Sequence, residues 1–415
     1  MDYQLGTVEL LGLLLGILFL VIAIIQNKNL LFKNFIVAAV FVRVCLLLCD
    51  MLHLFSIPNL GADSEFFHYL AESNQGNSDP RYVTNYTVFL TYFYSFTNCS
   101  RVMAQFINVL FGVGVIIYGQ KCLRLFNIEK RLVKIGTLIL CFEPNLIIFS
   151  GGLLREAWVE FFTTISLFYF LKWYKFGSVN DFVQSIVLLL GGTYMHGGTI
   201  GIVFGYFLVL TLYKREEDTF KLNARSWLAI VAVLGFSMFL SNYMDIFGNK
   251  LDGVDSENID EVLISGYKKQ YDKGGSDYLL WLPVSSMSDA IAFSPFKMFY
   301  FLLSPVPWEW RGIQDILAFF IDSIWYLILC WGIYKSKPNA FNTLKRGLIM
   351  SLLTVVFIFG IGVTNSGTAM RHRAKLLSFI VVTYCISKSI RQNKECIDYK
   401  LTKEKREGII SNLRI

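Results

Sequence analysis

The chain has 415 residues, of which 54% are hydrophobic, 16% aromatic and only 17% charged, and its mean hydropathy is +0.51. That composition excludes an ordinary soluble domain and assigns the chain to a membrane. The formal net charge of +7 does not indicate nucleic acid, because Lys and Arg sit mostly in short loops between apolar runs, where they set topology.

Apolar runs long enough to span or nearly span a bilayer occur at 8–25, 35–56, 102–119, 135–150, 156–171, 182–195, 198–213, 227–242, 314–333, 347–364 and 374–387. They predict an all-α, polytopic integral membrane protein of about eleven transmembrane helices, a single domain over 1–415. Several runs fall short of the roughly 20 residues that a perpendicular span needs, so some must borrow flanking residues or be broken. The first run, Val8 to Ile25, lacks a basic lead-in and a small-residue cleavage site, so it reads as a retained helix rather than a signal peptide.

Every second loop is basic: Lys28 and Lys33, Lys121 to Lys134, Lys172 and Lys175, Lys214 to Arg225, Lys335 to Arg346, and the tail at 388–415. By the positive-inside rule these loops are cytoplasmic, with the N-terminus outside and the C-terminus inside. The outer face then receives a first long loop at 57–101, short ones at 151–155, around His196 and at 365–373, and a second long loop at 243–313. Within these, Thr87 to Phe96 and the stretch AIAFSPFKMFYFLLSPVPWEW read as re-entrant or interfacial helices, the prolines at 295, 305 and 307 interrupting any full span. Of eight cysteines, only Cys99 falls in an outer loop and no CxxC pair occurs, which argues against a disulfide framework and a cysteine metal site.

The first long loop opens with GADSEFFHYLAES, bringing Asp63, Glu65 and His68 together where the chain leaves the hydrocarbon. Asp63 at the bilayer surface can take a proton from an attacking sugar hydroxyl, and it can equally cap a helix or remain a solvated acid. In SGGLLREAW, Arg155 and Glu156 sit at an outer helix end. Glu156 reads as a capped terminus or local ion pair, whereas Arg155 runs against the orientation rule and calls for a partner.

NSGTAMRHRAKLL gathers Arg371, His372, Arg373 and Lys375 on the outer face. Their retention there points to an anion, phosphate being the match for guanidinium forks, with anionic lipid headgroups as the alternative. In PVPWEWRG, Trp308 and Arg311 suit an interfacial anchor, and a sugar can also stack on such a surface. His196 lies in a Gly-rich turn. The four histidines all map to the outer end, but without HExxH or paired spacing they predict no metal site. Inside the membrane, Arg43 and Asp50 share a face of one helix and Glu143 adjoins Pro144. Buried charges of this kind need partners.

The GADSE loop after an early helix, the segment RVMAQFINVLFGVGVIIYGQKCLRLF, EPNLIIFSGGLLREAW and the basic outer motif together resemble GT-C-type membrane glycosyltransferases. More narrowly they resemble repeat-unit (O-antigen or capsule) polymerases of bacterial surface-polysaccharide clusters. The resemblance implies a polyprenyl-linked sugar donor such as undecaprenyl diphosphate, with Asp63 assisting the attacking hydroxyl and Glu65 second to it. Arg371 and Arg373 would hold the carrier phosphate, with Arg155 as an additional candidate. Read from the residues themselves, His372 joins the phosphate-binding candidates and His196, Trp308 and Arg311 are the candidate substrate contacts. The resemblance implies no cofactor, a divalent metal being compatible but not indicated. Membrane lipid and other polysaccharide-synthesis proteins are the expected partners. The chain departs from the GT-C pattern in having one extra helix before the acidic loop and no large soluble outer domain. The alternatives are a transporter or flippase for lipid-linked glycans, marked by inverted repeats and a charged crossing cavity, and a non-catalytic partner of a synthesis complex.

Overall fold

The computed structural model describes residues 6–54, 60–73, 84–222, 276–282 and 287–390. The expected span at 227–242, most of the second long loop and nearly all of the 388–415 tail lie outside the described residues. The described chain is almost entirely helical, as the apolar runs require. Among the described residues five helices are long and apolar enough to cross a membrane, or six when one bent pair is taken as a single span; the eleven expected from hydropathy include one, at 227–242, that lies outside the described residues.

In chain order, α1 (Thr7–Gln26) and α2 (Lys33–Met51) lead into α3 (Gly61–Ser73) and α4 (Asn85–Thr97). Thus the described parts of the first long loop are helical, and GADSEFFHYLAES is a helix rather than an irregular loop. Next come α5 (Arg101–Leu125), the pair α6 (Lys130–Phe142) and α7 (Pro144–Gly151), α8 (Glu156–Phe176), α9 (Val179–Met195) and α10 (Ile200–Leu212). A two-stranded hairpin, Tyr213–Lys214 with Thr219–Phe220, closes that half. Then follow α11 (Met287–Ala292), α12 (Ser294–Leu303), α13 (Ile313–Ala318), a π-helical turn (Phe319–Ser323) and α14 (Ile324–Tyr334). The last helices are α15 (Asn342–Gly362), α16 (Ser366–Ala374) and α17 (Leu377–Lys388).

Local chemistry explains the boundaries. Ser100 and Ser178 cap α5 and α9 through their hydroxyls, and Asn365 caps α16, accepting from the Gly367 and Thr368 amides at 2.9 and 3.2 Å. The run at 135–150 is broken because Pro144 cannot donate to the α6 ladder; it opens α7 at a first-turn position instead, with the Glu143 carboxylate accepting from the Leu146 amide at 2.8 Å. The two halves meet at 48°.

The central helix α5 packs on α2, α6, α7 and α8, with α9 behind α8 and α10 against α15. The last contact is close because Gly201 and Gly205 are spaced G-x-x-x-G, removing side chains where backbones meet. A Cβ at Gly205 would stand 2.4 Å from the Ser351 Cα, and one at Gly201 would stand 2.6 Å from the Val355 Cα. Gly205→Leu is expected to cost about 1–3 kcal/mol by overpacking, seen as a lower melting temperature in detergent. An unchanged melt would refute the tight crossing.

The loops sort to two ends. At one, Lys175 donates to the Leu125 carbonyl (2.6 Å), Thr343 to that of Asp218 (2.9 Å) and Ser389 to Glu129 (3.0 Å), so the described basic loops meet. At the other, α3 and α4, the 152–155 turn, the end of α9 and α16 converge. There Asn85 donates to the Tyr194 carbonyl at 2.5 Å, and Arg371 bridges α3 and α8.

Candidate functional site at the non-basic end

Two scaffolds hold the elements of this end. Arg101, at the start of α5, donates to Asp50 on α2 at 3.0 Å and, on α3, to Glu65 at 2.6 Å and Ser64 at 3.1 Å. Gln105 reinforces Asp50 at 2.6 Å. These bonds lock α3 across the ends of α2 and α5. Asn108 holds the turn before α8, donating to the Gly152 and Leu154 carbonyls at 2.7 and 2.9 Å while accepting from the Trp158 indole at 2.7 Å. That turn delivers Arg155 and Glu156.

Between the scaffolds stands Arg371. Its guanidinium contacts the Asp63 carboxylate with one terminal nitrogen and, with the other, donates to Glu156 at 3.0 Å. The Lys375 Nζ lies 3.7 Å from the same Glu156 oxygen and 3.1 Å from the His372 Nδ1. His372 in turn lies 4.5 Å, ring to ring, from His196, and both face Phe359. Burial, reinforced by Lys375, His196, Arg371 and Arg155, holds the His372 imidazole well below its ordinary pKa. It is therefore neutral and free to accept from Lys375.

Exposure divides the roles. The Asp63 side chain is 45% exposed, Arg371 21%, Glu156 only 2%. Asp63 is thus the carboxylate that a molecule arriving from solvent can reach, whereas Glu156 would meet it only through Arg371. The Nε atoms of both Arg155 and Arg371 are buried and have no hydrogen-bond partner. Two buried guanidinium N–H groups without acceptors, beside the N-terminus of a 21-residue helix, make a place suited to anionic oxygens.

The other expected site residues go elsewhere. Glu65 is taken up by Arg101. His68 turns toward α4, its Nδ1 2.8 Å from the Tyr94 hydroxyl, and burial and then Arg101 lower its pKa, so it stays uncharged. Arg373 does not join Arg371 as a pair. It points into the bundle with no exposure, donating through Nε to Asp322 at 2.7 Å, through Nη2 to Ser323 at 2.9 Å and through Nη1 to the Phe301 carbonyl at 3.2 Å. On a helix, residues two apart diverge by about 200°, so the two arginines necessarily face opposite ways. Trp308 and Arg311 are held by Tyr300 and by the Asp277 carbonyl, on the connection after α12.

Three participants carried no outward signal. Glu156 reads as a terminus capped by its neighbour, yet it binds Arg371 from 215 residues away. Arg101 sits at a helix start, and Asp322 lies inside an apolar run. Arg43 and Asp50, expected to share a face, find separate partners: Asp50 takes Arg101, and Arg43 donates to Ser150 at 2.9 Å. Among the described residues no group of three or more His, Cys, Asp or Glu side chains is arranged to hold a metal ion.

No family model matches the chain, and comparison with curated proteins and with solved structures finds no match.

Proposed function

We propose that the chain is a membrane glycosyltransferase moving a sugar or oligosaccharide from a polyprenyl-phosphate or diphosphate carrier to a hydroxyl of a second glycan, as a repeat-unit polymerase of surface polysaccharide. The reading places the basic loops in the cytoplasm and the Arg371 cluster on the outer face of a bacterial inner membrane. One observation carries it: Arg371 bridges a reachable carboxylate, Asp63, and a buried one, Glu156, beside buried guanidinium N–H groups that lack acceptors. The carrier phosphate would take the place at Arg371 that Asp63 now fills. The acceptor oxygen then bonds to the anomeric carbon as the carbon–oxygen bond to phosphate breaks. The phosphate leaves with the electron pair, its charge met by Arg371 and Arg155, and the hydroxyl proton passes to the released Asp63.

Asp63→Asn should lower turnover by about 10²–10⁴-fold while leaving the melting temperature unchanged, since an exposed ion pair contributes little stability. The measurement is conversion of lipid-linked repeat units by purified protein. Wild-type turnover in Asp63→Asn would remove the base from the scheme.

A second reading, a transporter for lipid-linked glycans, is favoured by the helix broken at Glu143 beside buried charge. The same purified protein separates the two: chain extension in detergent, without compartments, belongs to a transferase only.

A further inference from the structure

Away from the Arg371 cluster, the densest buried charge lies inside the bundle, where two irregular helices touch. The α6–α7 break at Glu143 faces the π-helical turn that carries Asp322, and Asn145 donates to Asp322 at 2.5 Å. Charges converge here from five sides: Arg43 on α2, Glu143 at the break, Glu160 on α8, Asp322 with Tyr326 on the π turn and α14, and Arg373 on α16. All are 8% exposed or less.

The cations are already committed. Arg373 is taken by Asp322 and Ser323. Arg43 donates to Ser150 and to the carbonyls of Ala39, Leu140 and Cys141, at 2.8–3.2 Å, rather than to a carboxylate. Glu143 uses one oxygen to cap α7. Its other oxygen, Glu160 Oε1, Thr163 Oγ1 and the Tyr326 hydroxyl are all buried without a hydrogen-bond partner. Three carboxylates face two guanidinium groups, so full ionisation would leave one negative charge unbalanced where burial makes that costly.

We propose that this cluster binds one monovalent cation, a proton or an alkali metal ion, between Glu143 and Glu160 with the Tyr326 and Thr163 hydroxyls beside them. A single positive charge completes the balance. The available atoms are hard oxygens, and a broken helix at membrane depth is a setting that coordinates such ions. The assignment is independent of the chemistry at Arg371 and holds for either reading of it.

The test is thermal melting of the purified protein in detergent. In one arm sodium, lithium or potassium chloride replaces choline chloride at fixed ionic strength; in the other, pH runs from about 5 to 9 at fixed salt. An alkali-ion site raises the melting temperature by about 3 °C or more at saturation, and Glu160→Gln abolishes the rise. A proton site shows no ion dependence but a stability that falls as pH rises, since the folded pair holds a proton that the unfolded groups release, and Glu160→Gln flattens that slope. Wild type and Glu160→Gln responding alike to ions and to pH overturns the proposal. Because the variant can itself perturb folding, equilibrium binding of radiolabelled sodium and potentiometric proton uptake on folding provide readouts from wild type alone. Neither ion nor proton bound overturns it equally.

Discussion

Arg371→Ala is expected to produce a folded, membrane-inserted protein whose transfer activity falls by at least about 10²–10³-fold, the loss typical when a preorganised donor to a developing negative charge is removed. The fold should survive for a stated reason. The Asp63 side of the Arg371 bridge is nearly half exposed, and such pairs contribute roughly 0–1 kcal/mol. The Glu156 side is buried, but Arg155 acts on that carboxylate from the adjacent position and Lys375 stands 3.7 Å away as a further donor. Arg371→Lys preserves the charge and loses the two-pronged fork that reaches α3 and α8 together, so it should recover part of the activity. Product chain length from purified lipid-linked substrate, read beside a melting curve, checks both variants. Full-length product at wild-type yield from Arg371→Ala would end the phosphate assignment.

The opposite orientations of Arg371 and Arg373 show where sequence reasoning stops. Hydropathy located the described long helices because a lipid-facing residue is apolar whatever its neighbours are, and Pro144 marked the break within the run at 135–150. The motif NSGTAMRHRAKLL, however, read as an outer loop, and a loop has no faces to divide. Once Asn365 caps it into a helix, the helical period separates Arg371 from Arg373, sending one to α3 and α8 and the other to Asp322. Similarly, Asp63 stood out as an acid at the membrane boundary, but only the clamp of Arg101 on Ser64 and Glu65 brings α3 close enough for Asp63 to meet Arg371. Glu156 and Asp322 were hidden for a shared reason: their partners lie 215 and 51 residues away, and no local pattern encodes so distant a pairing. Glu156 even had a decoy in the adjacent Arg155.

Arg373→Ala should behave unlike Arg371→Ala, failing to fold rather than failing to react. Arg373 and Asp322 are both without exposure, and removing one member of such a pair leaves a buried charge uncompensated, at about 3–5 kcal/mol. That is a large share of the roughly 5–15 kcal/mol by which proteins are stable. Asp322→Ala should cost as much, since it strands the guanidinium and also frees Asn145, its other partner. The Arg373→Met, Asp322→Leu double variant removes both charges and fills the space, so it should be more stable than either single variant, as expected when apolar residues replace a buried pair outright. Melting temperature and yield from membranes provide the measurement, and an Arg373→Ala protein that melts like wild type would show that the pair is not structural. Activity of the double variant then separates support from chemistry. Arg373 anchors the bundle-facing side of α16, whereas Arg371 lies on the opposite side, in the proposed site. Recovery of transfer in a folded double variant would therefore mark Arg373 as a positioning residue, whereas a folded but inactive one would give the buried pair a part in the reaction itself.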